Sequence, residues 1–213
     1  LGISVVYFLY LDHGDFVLWW SNQRNSFLTF FFKYWTYTGD WFFVVTVTLA
    51  LIFFRLRYGL ILALVSIVQG LTTALFKQVL FVGTPRPKGY FAGKQVLDLI
   101  EGVKVQSLNS FPSGHTMTAF ALATFIALMM QNKKYSIFLL LGAILTALSR
   151  VYLGHHFLID IIAGSLIGML IATIIYMIFE KYLNQDNRLE EDQPDQDLLK
   201  MDLNVDDVNE PGL

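Results

Sequence analysis

Two histidines and an aspartate have types and spacings that suit nucleophilic catalysis. His156 and Asp160 are four residues apart, so in a helix they share one face and the aspartate leans back toward the histidine. A carboxylate on one ring nitrogen fixes the tautomer and leaves the other nitrogen free as a nucleophile. His115 is then available to protonate a leaving oxygen and afterwards to activate water. The adjacent His155 lies about 100° away around such a helix, and we interpret it as an interfacial or supporting residue.

Three basic residues and a helix start supply groups that bind an anion. Arginine forks match phosphate oxygens, and Arg86 and Arg150 are joined by Lys77, with few carboxylates among them. The stretch Pro-Ser-Gly-His opens an apolar run and places free backbone N–H groups at a helix N-terminus. Gly114 would let this backbone approach a ligand closely, and Ser113 would cap the helix or donate to the anion. Phosphate is the ligand that this set favours.

Each of these features alone has an ordinary structural explanation. A histidine and an aspartate four residues apart more often form a structural hydrogen bond, and a single lysine at a helix end can snorkel. Pro-Ser-Gly-His alone can be a capped helix start. The predicted spans, however, place all of these residues at one membrane face, where charged groups are costly and usually mark function.

Composition and apolar runs predict that membrane helices position these residues. The chain of 213 residues is 55% hydrophobic and 15% charged, with a mean hydropathy of +0.53, whereas an ordinary soluble domain is about 25% charged. Tyr58–Phe76 and Ile161–Phe179 are runs of 19 residues without a charge, close to the roughly 20 residues that cross a bilayer. We therefore predict an all-α, polytopic membrane bundle of about six transmembrane helices.

The positions of the helices follow from the apolar runs. The predicted spans are Leu1–Tyr10 (partial), Asp40–Phe54, Tyr58–Lys77, Ser113–Met130, Tyr135–Tyr152 and His156–Phe179. The first is too short to cross, and we expect a helix that is truncated or processed at its start. The aromatic-rich segment 15–40 is predicted to lie in the membrane interface. Gly164 and Gly168 are predicted to form a close helix-packing face.

Charge divides the chain into two parts. Residues 1–179 hold 12 Lys and Arg against 6 Asp and Glu, whereas residues 180–213 hold 3 against 11. We expect a membrane-embedded domain over residues 1–182, which carries the candidate site, and an acidic, disordered tail over residues 183–213. The short basic links 55–57 and 132–134 predict a cytoplasmic location for themselves and for the tail. The candidate site then faces the extracytoplasmic side.

The candidate residues resemble the three-part signature of the type 2 phosphatidic acid phosphatase family, which includes class A acid phosphatases and vanadium haloperoxidases. The family pattern is a lysine followed by Arg-Pro, then Pro-Ser-Gly-His, then Ser-Arg, five residues, His, three residues and Asp. The second part is Pro112–His115 here, and the third part, which ends at Asp160, keeps the family's spacing. The first part departs, because eight residues rather than six separate Lys77 from Arg86. Lys88 is therefore an alternative to Lys77.

The resemblance implies hydrolysis without a metal or another cofactor, through a phosphohistidine on His156. Asp160 would orient this histidine, and His115 would act as acid and then as base. The phosphate-binding residues that the resemblance implies are Lys77, Arg86, Ser113, Gly114 and Arg150.

The predicted function is an integral membrane lipid phosphatase of a bacterial inner membrane. The candidate substrates are undecaprenyl diphosphate, phosphatidylglycerophosphate, phosphatidic acid and a phosphorylated lipid A, and no nucleic-acid partner is expected. The chain has no cysteine, which excludes a disulfide framework and a thiolate metal site.

Two other functions fit parts of the pattern. A non-catalytic lipid-phosphate binder or transporter on the same fold would use the basic residues. It would have no use for His115, His156 and Asp160 as a catalytic set. A haloperoxidase would hold vanadate in the phosphate site, but the membrane spans and the lack of a soluble substrate domain oppose this function.

Overall fold

The described part of the chain is helical. The computed structural model describes residues 14–94, 97–130 and 132–191, and within these ranges β-pairing is limited to one isolated antiparallel bridge between Pro85 and Leu108. The helices of these ranges are α1 (Asp15–Asn22), α2 (Ser26–Trp35), α3 (Trp41–Phe54), α4 (Leu56–Leu75), α5 (Pro87–Tyr90), α6 (Gly114–Met129), α7 (Ser136–Tyr152) and α8 (Leu158–Glu191). The predicted all-α class is confirmed.

Three helical segments are long and apolar enough to cross a membrane: Leu56–Leu80, Lys133–Tyr152 and Leu158–Glu180. The segment Ser26–Gly39 and helix α3 meet at a bend of 51° and make a fourth span if the pair is counted as one. Helix α6 is apolar but only 16 residues long. The predicted number of six is therefore not confirmed. The described residues support three or four spans by length and composition, and the predicted span at residues 1–10 lies outside them.

Helix α3 shows why these elements suit a membrane. Its sequence is almost entirely apolar, and its exposed positions include Phe42, Leu49 and Phe53. A helix that is apolar on every side belongs in a large core or in a bilayer. Asp40 caps the start of this helix, because its side chain accepts a hydrogen bond from the Phe42 N–H at 3.4 Å.

Helix α8 packs closely against α6 through the two predicted glycines. A Cβ atom built at Gly164 would lie 2.7 Å from the Ser113 carbonyl oxygen, and one at Gly168 would collide with the carbonyl group of Met117. The Ser113 N–H donates to the Asp160 carbonyl at 3.0 Å. This contact fixes the start of α6 against the start of α8.

The aromatic-rich segment forms α1, α2 and a 3-10 turn, Thr36–Gly39. One side of α2 exposes Phe27 and Phe30, while Phe32 is buried and lies with its ring centroid 4.8 Å from that of Tyr152 in α7. The segment thus leads the chain from an exposed aromatic surface to the end of α7 that carries Arg150.

Helix α8 extends to Glu191, beyond the predicted end at Phe179. The chain divides into two compact units, Leu1–Tyr176 and Met177–Leu213, and the candidate site residues all belong to the first. The predicted tail beyond Glu191 lies outside the described residues.

Candidate active site

His156 is buried beside the carboxylate of Asp160, which is also contacted by Ser110 and by the backbone of Phe157. The His156 Nδ1 atom lies 3.3 Å from Asp160 Oδ2. The Ser110 hydroxyl donates to the same oxygen at 2.5 Å and lies 3.5 Å from His156 Nδ1. The Phe157 N–H also donates to this oxygen, at 2.9 Å. Because Nδ1 faces the carboxylate, Nε2 is the ring nitrogen left to attack a substrate.

Burial keeps the His156 imidazole neutral. The residue is 2% exposed, and this burial, together with the positive charges of Arg86 and Arg150, lowers the pKa of His156 well below its ordinary value of 6.5. A neutral imidazole has the free electron pair that nucleophilic attack requires. Burial also lowers the pKa of the neighbouring His155, to about 2.

A tight turn sets the position of His156 relative to Arg150. Gly154 has a φ of +75°, which glycine adopts without strain, and its N–H donates to the Val151 carbonyl at 2.9 Å. The N–H groups of His155 and His156 both donate to the Arg150 carbonyl, at 2.9 and 3.3 Å. This turn therefore accounts for the spacing of five residues between Arg150 and His156.

Arg150 is a buried cation, and one of its hydrogen-bond donors has no acceptor in the described part of the chain. Its side chain is 5% exposed, and Nη1 donates to the Thr36 hydroxyl at 2.7 Å. In the described part of the chain its buried Nε has no hydrogen-bond partner. Leaving such a donor unpaired is costly, and a phosphate oxygen would be a fitting acceptor.

Arg86 is fixed by the loop that follows α5. Its Nε donates to the Leu108 carbonyl at 2.9 Å and its Nη2 to the Asn109 carbonyl at 3.3 Å. Its Nη1 reaches the His155 carbonyl at 3.5 Å, so the backbone of His155, rather than its ring, supports the site. Asp160 lies within electrostatic range of this guanidinium.

Lys77 lies in a π-helical turn, Phe76–Leu80, that continues α4. The N–H of Phe81 donates to the Phe76 carbonyl at 2.7 Å, and this wider turn takes up one more residue than an α-turn. Lys77 is within electrostatic range of Arg86, Arg150 and Asp160. The longer spacing to Arg86 therefore does not separate Lys77 from the other cations.

Lys88, the alternative to Lys77, is exposed in the short helix α5. Its Nζ lies 3.5 Å from the Val105 carbonyl. The geometry thus favours Lys77 as the third cation of the site.

The start of α6 presents backbone donors beside these cations. Ser113 is fully buried, and its hydroxyl oxygen accepts hydrogen bonds from the Thr116 hydroxyl at 2.9 Å and from the Thr116 N–H at 3.5 Å. The N–H groups of Gly114 and His115 belong to the first turn, where no intrahelical acceptor exists. A Cβ at Gly114 would lie 3.3 Å from Thr73 Cγ2, so the backbone approaches α4 closely here.

His115 completes the group at the next position of α6. Its side chain is one third exposed, and its Nε2 lies 3.8 Å from Asp40 Oδ2. It is within electrostatic range of Arg150, His156 and Lys77. The structure therefore brings all eight predicted site residues into one cluster, while their roles in a reaction stay predictions.

The PAP2 superfamily profile matches residues 54–183, more than half of the chain. This range contains all eight clustered residues. The chain belongs to the PAP2 superfamily. The resemblance stated from the three-part signature is thereby confirmed.

Several curated proteins match this PAP2 protein over part of their length. Lipid phosphate phosphatase 1 of Arabidopsis thaliana is 35% identical over 122 residues, and the match covers 46% of this chain and 37% of that protein. Lipid A 4'-phosphatase of Bacteroides thetaiotaomicron is 36% identical over 84 residues, which are 39% and 36% of the two chains. Undecaprenyl-diphosphatase BcrC of Bacillus subtilis is 36% identical over 74 residues, or 35% and 37%. The chain thus spans little more than a third of the length of each.

Two solved structures are similar over most of the chain. Aquifex aeolicus LpxE has a TM-score of 0.63 and 26% identity, and the likeness covers 76% of this chain and 93% of that one. The transmembrane PAP2 type phosphatidylglycerolphosphate phosphatase of Bacillus subtilis has a TM-score of 0.64 and 27% identity, covering 78% and 84%. Together with its apolar spans, this likeness identifies the PAP2 chain as an integral membrane protein.

Three residues that contact this PAP2 site were not predicted from the sequence. Ser110 bonds to Asp160, and its position just before Pro-Ser-Gly-His was the one available signal. Thr36 bonds to Arg150, and Asp40 faces His115. Both lie in the segment interpreted as interfacial, and no sequence spacing links them to the motifs.

Proposed function

We propose that this chain is a membrane lipid phosphatase that transfers a phosphoryl group from a lipid to His156 and then to water. The observation that carries the proposal is the buried His156–Asp160 pair beside Arg150. Within the described residues, the Nε of Arg150 is a buried donor without an acceptor. A nucleophile next to an anion-binding donor is the arrangement that phosphoryl transfer needs.

In the first step, His156 Nε2 attacks the phosphorus atom and the bond from phosphorus to the lipid oxygen breaks. His115, in its protonated form, gives its proton to the leaving oxygen. In the second step, water attacks the phosphohistidine, its proton passes to His115, and the electron pair of the N–P bond returns to His156. Asp160 keeps the imidazole oriented through both steps.

Five residues bind the phosphoryl group in this mechanism: Lys77, Arg86, Ser113, Gly114 and Arg150. The three cations and the first-turn N–H groups of α6 stabilise the charge on the phosphoryl oxygens during transfer. This donor set supplies the positive charge that a metal ion provides in other phosphatases, and the proposed reaction needs no cofactor.

The proposed substrate is a phosphate or diphosphate of a membrane lipid. The site lies at the ends of apolar helices, so the apolar part of such a substrate can stay among the spans while its phosphate reaches His156. The relatives named above include a lipid A 4'-phosphatase and an undecaprenyl-diphosphatase. We propose residues 1–182 as the membrane-embedded phosphatase domain and residues 183–213 as an acidic cytoplasmic segment.

Phosphate release from a panel of lipids tests this function. The full chain is purified in detergent and incubated with EDTA and phosphatidic acid, phosphatidylglycerophosphate, undecaprenyl diphosphate or lipid A. We expect release from at least one lipid, and a fall of more than about 1,000-fold in His156→Ala, because the nucleophile is lost. Lys104→Ala, a change of an exposed cation in the loop between α5 and α6, serves as the control.

Two outcomes would contradict the proposal. Binding of a lipid phosphate without release would instead identify a lipid-phosphate binder. A strict requirement for Mg²⁺ would exclude a mechanism that depends on His156 and the protein cations alone.

A further inference from the structure

The 3-10 turn Thr36–Gly39 is held against the candidate site by two hydroxyl groups. The Thr36 hydroxyl accepts a hydrogen bond from Arg150 Nη1 at 2.7 Å. The Thr38 hydroxyl lies 2.7 Å from that of Thr146, one turn before Arg150 in α7. The turn is therefore bound to the same helix that carries the phosphate-binding arginine.

Gly39 brings the end of this turn onto the backbone of α6. A Cβ atom at Gly39 would lie 2.7 Å from the His115 carbonyl oxygen and 2.7 Å from Thr146 Cγ2. No larger residue fits there without displacing α6 or α7. The next residue, Asp40, consequently has a fixed position relative to His115.

The two carboxylate oxygens of Asp40 have different neighbours. Oδ1 accepts a hydrogen bond from the Phe42 N–H at 3.4 Å and caps α3. Oδ2 lies 3.8 Å from His115 Nε2, and about a quarter of the Asp40 side chain is exposed. Helix capping thus accounts for one oxygen, and the other faces the histidine.

His115 is surrounded mainly by positive charge. The charged or titratable groups that act on it are Arg150 in α7, His156 before α8, Lys77 in the π-helical turn and Arg86 in the loop before α5. In the part of the chain that the structure describes, Asp40 is the carboxylate within 4 Å of its ring. Partial burial of the ring and its positive neighbours both oppose a protonated imidazole, whereas a nearby carboxylate favours the protonated form.

We propose that Asp40 is a positioning residue that stabilises the protonated form of His115 for its role as general acid. This inference rests on the proposed function. The separation of 3.8 Å exceeds a hydrogen-bond length, so the ring can turn toward the leaving oxygen while the carboxylate still acts through space. The proton passes from His115 to the leaving oxygen as the phosphorus–oxygen bond breaks, and Asp40 takes no part in the proton transfer itself.

A second role for Asp40 would have a different kinetic effect. Asp40 also lies within electrostatic range of Arg150. If it acted only by orienting Arg150, its loss would weaken the binding of every phosphate ester alike. If it acts through His115, its loss slows substrates whose leaving group needs a proton and spares those whose leaving group departs as an anion.

Octyl phosphate and 4-nitrophenyl phosphate distinguish the two roles, because octanol is a poor leaving group and nitrophenolate a good one. The comparison uses kcat/KM, which reports steps through the first bond cleavage. In Asp40→Asn, which keeps the helix cap, we expect kcat/KM to fall about 10- to 100-fold on octyl phosphate and less than about threefold on 4-nitrophenyl phosphate. Asp40→Glu should recover part of the octyl rate, because it keeps the charge.

Two further variants control for damage to the fold. Asp40→Ser also keeps a capping side chain and should show the same leaving-group dependence as Asp40→Asn. Glu101→Gln removes an exposed carboxylate of the loop between α5 and α6 and should match the wild type on both substrates. An equal loss on both substrates in the Asp40 variants, or no loss on either, would overturn the proposal. Failure of the wild type to release phosphate, or release that persists in His156→Ala, would instead contradict the proposed function.

Discussion

At the scale of single residues, Lys77 and Lys88 are two candidates for the third phosphate-binding cation. Lys77 lies within electrostatic range of Arg86 and Arg150, whereas Lys88 is exposed near the Val105 carbonyl. We expect Lys77→Ala to lower kcat/KM about 10- to 100-fold, the equivalent of a lost charge-assisted hydrogen bond. Lys88→Ala should change it less than about threefold.

Measurement of both variants on the same lipid phosphate checks this assignment. Lys77→Arg is the matched charge-preserving control, and it should retain more activity than Lys77→Ala. The reverse order, with the larger loss in Lys88→Ala, would assign the site to Lys88.

The low pKa of His156 predicts the pH at which kcat/KM falls on the acidic side of its pH profile. Attack requires the neutral imidazole, and burial lowers the pKa of His156 well below 6.5. Protonation therefore removes the nucleophile only at a pH well below 6.5, and kcat/KM, which reports the free enzyme, should stay high down to that range. The second ionisation of a phosphate monoester substrate has a pKa of about 6 and also changes kcat/KM with pH. The substrate is therefore titrated separately, and the pH profile of kcat/KM is corrected for its ionisation. A limb that remains at 6.5 or above after this correction would mean that His156 is not the attacking group.

At the scale of elements, the contact of α8 with α6 positions the catalytic residues. Gly164 lies against the Ser113 carbonyl, one turn after Asp160, and a Cβ there would be 2.7 Å from that oxygen. Gly164→Ala should push the two helix starts apart, at a cost of about 1–3 kcal/mol. The expected result is a lower unfolding temperature together with a lower kcat.

Gly70→Ala is the matched control for this helix contact. Gly70 lies in α4, where a Cβ would meet no atom within 4 Å. This variant should keep the activity and the unfolding temperature of the wild type. If Gly164→Ala behaves like Gly70→Ala, the close contact between α6 and α8 is not required for activity or for stability.

The local parts of the site were predictable because their spacing reflects single turns of chain. The spacing of four residues brings His156 Nδ1 to 3.3 Å from Asp160 Oδ2. The link from Arg150 to His156 is a tight turn. Gly164 and Gly168, four residues apart on one face of α8, likewise predicted a close helix contact, and the structure places that contact against α6. Such features repeat with the period of a helix and can be read along the sequence.

The contacts that were missed join distant parts of the chain. Ser110 is 50 residues from Asp160, and Thr36 is 114 residues from Arg150. Neither pair has a periodic signal, because tertiary packing alone brings them together. The π-helical turn at Lys77 was also not predictable, since an altered spacing does not say how the backbone absorbs it.

At the scale of the whole molecule, the basic links and the candidate site lie at opposite helix ends. Arg55 precedes α4, and Lys77 follows it. Lys133 and Lys134 precede α7, and Arg150 lies in its last turn. Basic links favour the cytoplasmic side, so the site is expected to face the extracytoplasmic side.

Single introduced cysteines test this orientation, because the chain has no cysteine of its own that a thiol reagent could label. Gln106→Cys places an exposed thiol in the loop on the site side, and Lys134→Cys places one at the opposite end. In intact cells we expect a membrane-impermeant maleimide to label Gln106→Cys, and to label Lys134→Cys only after permeabilisation. Both variants must retain phosphate release, so that the labelled chains are correctly inserted. The reversed labelling pattern would place the site in the cytoplasm, where it would meet the lipid phosphates of the inner leaflet instead.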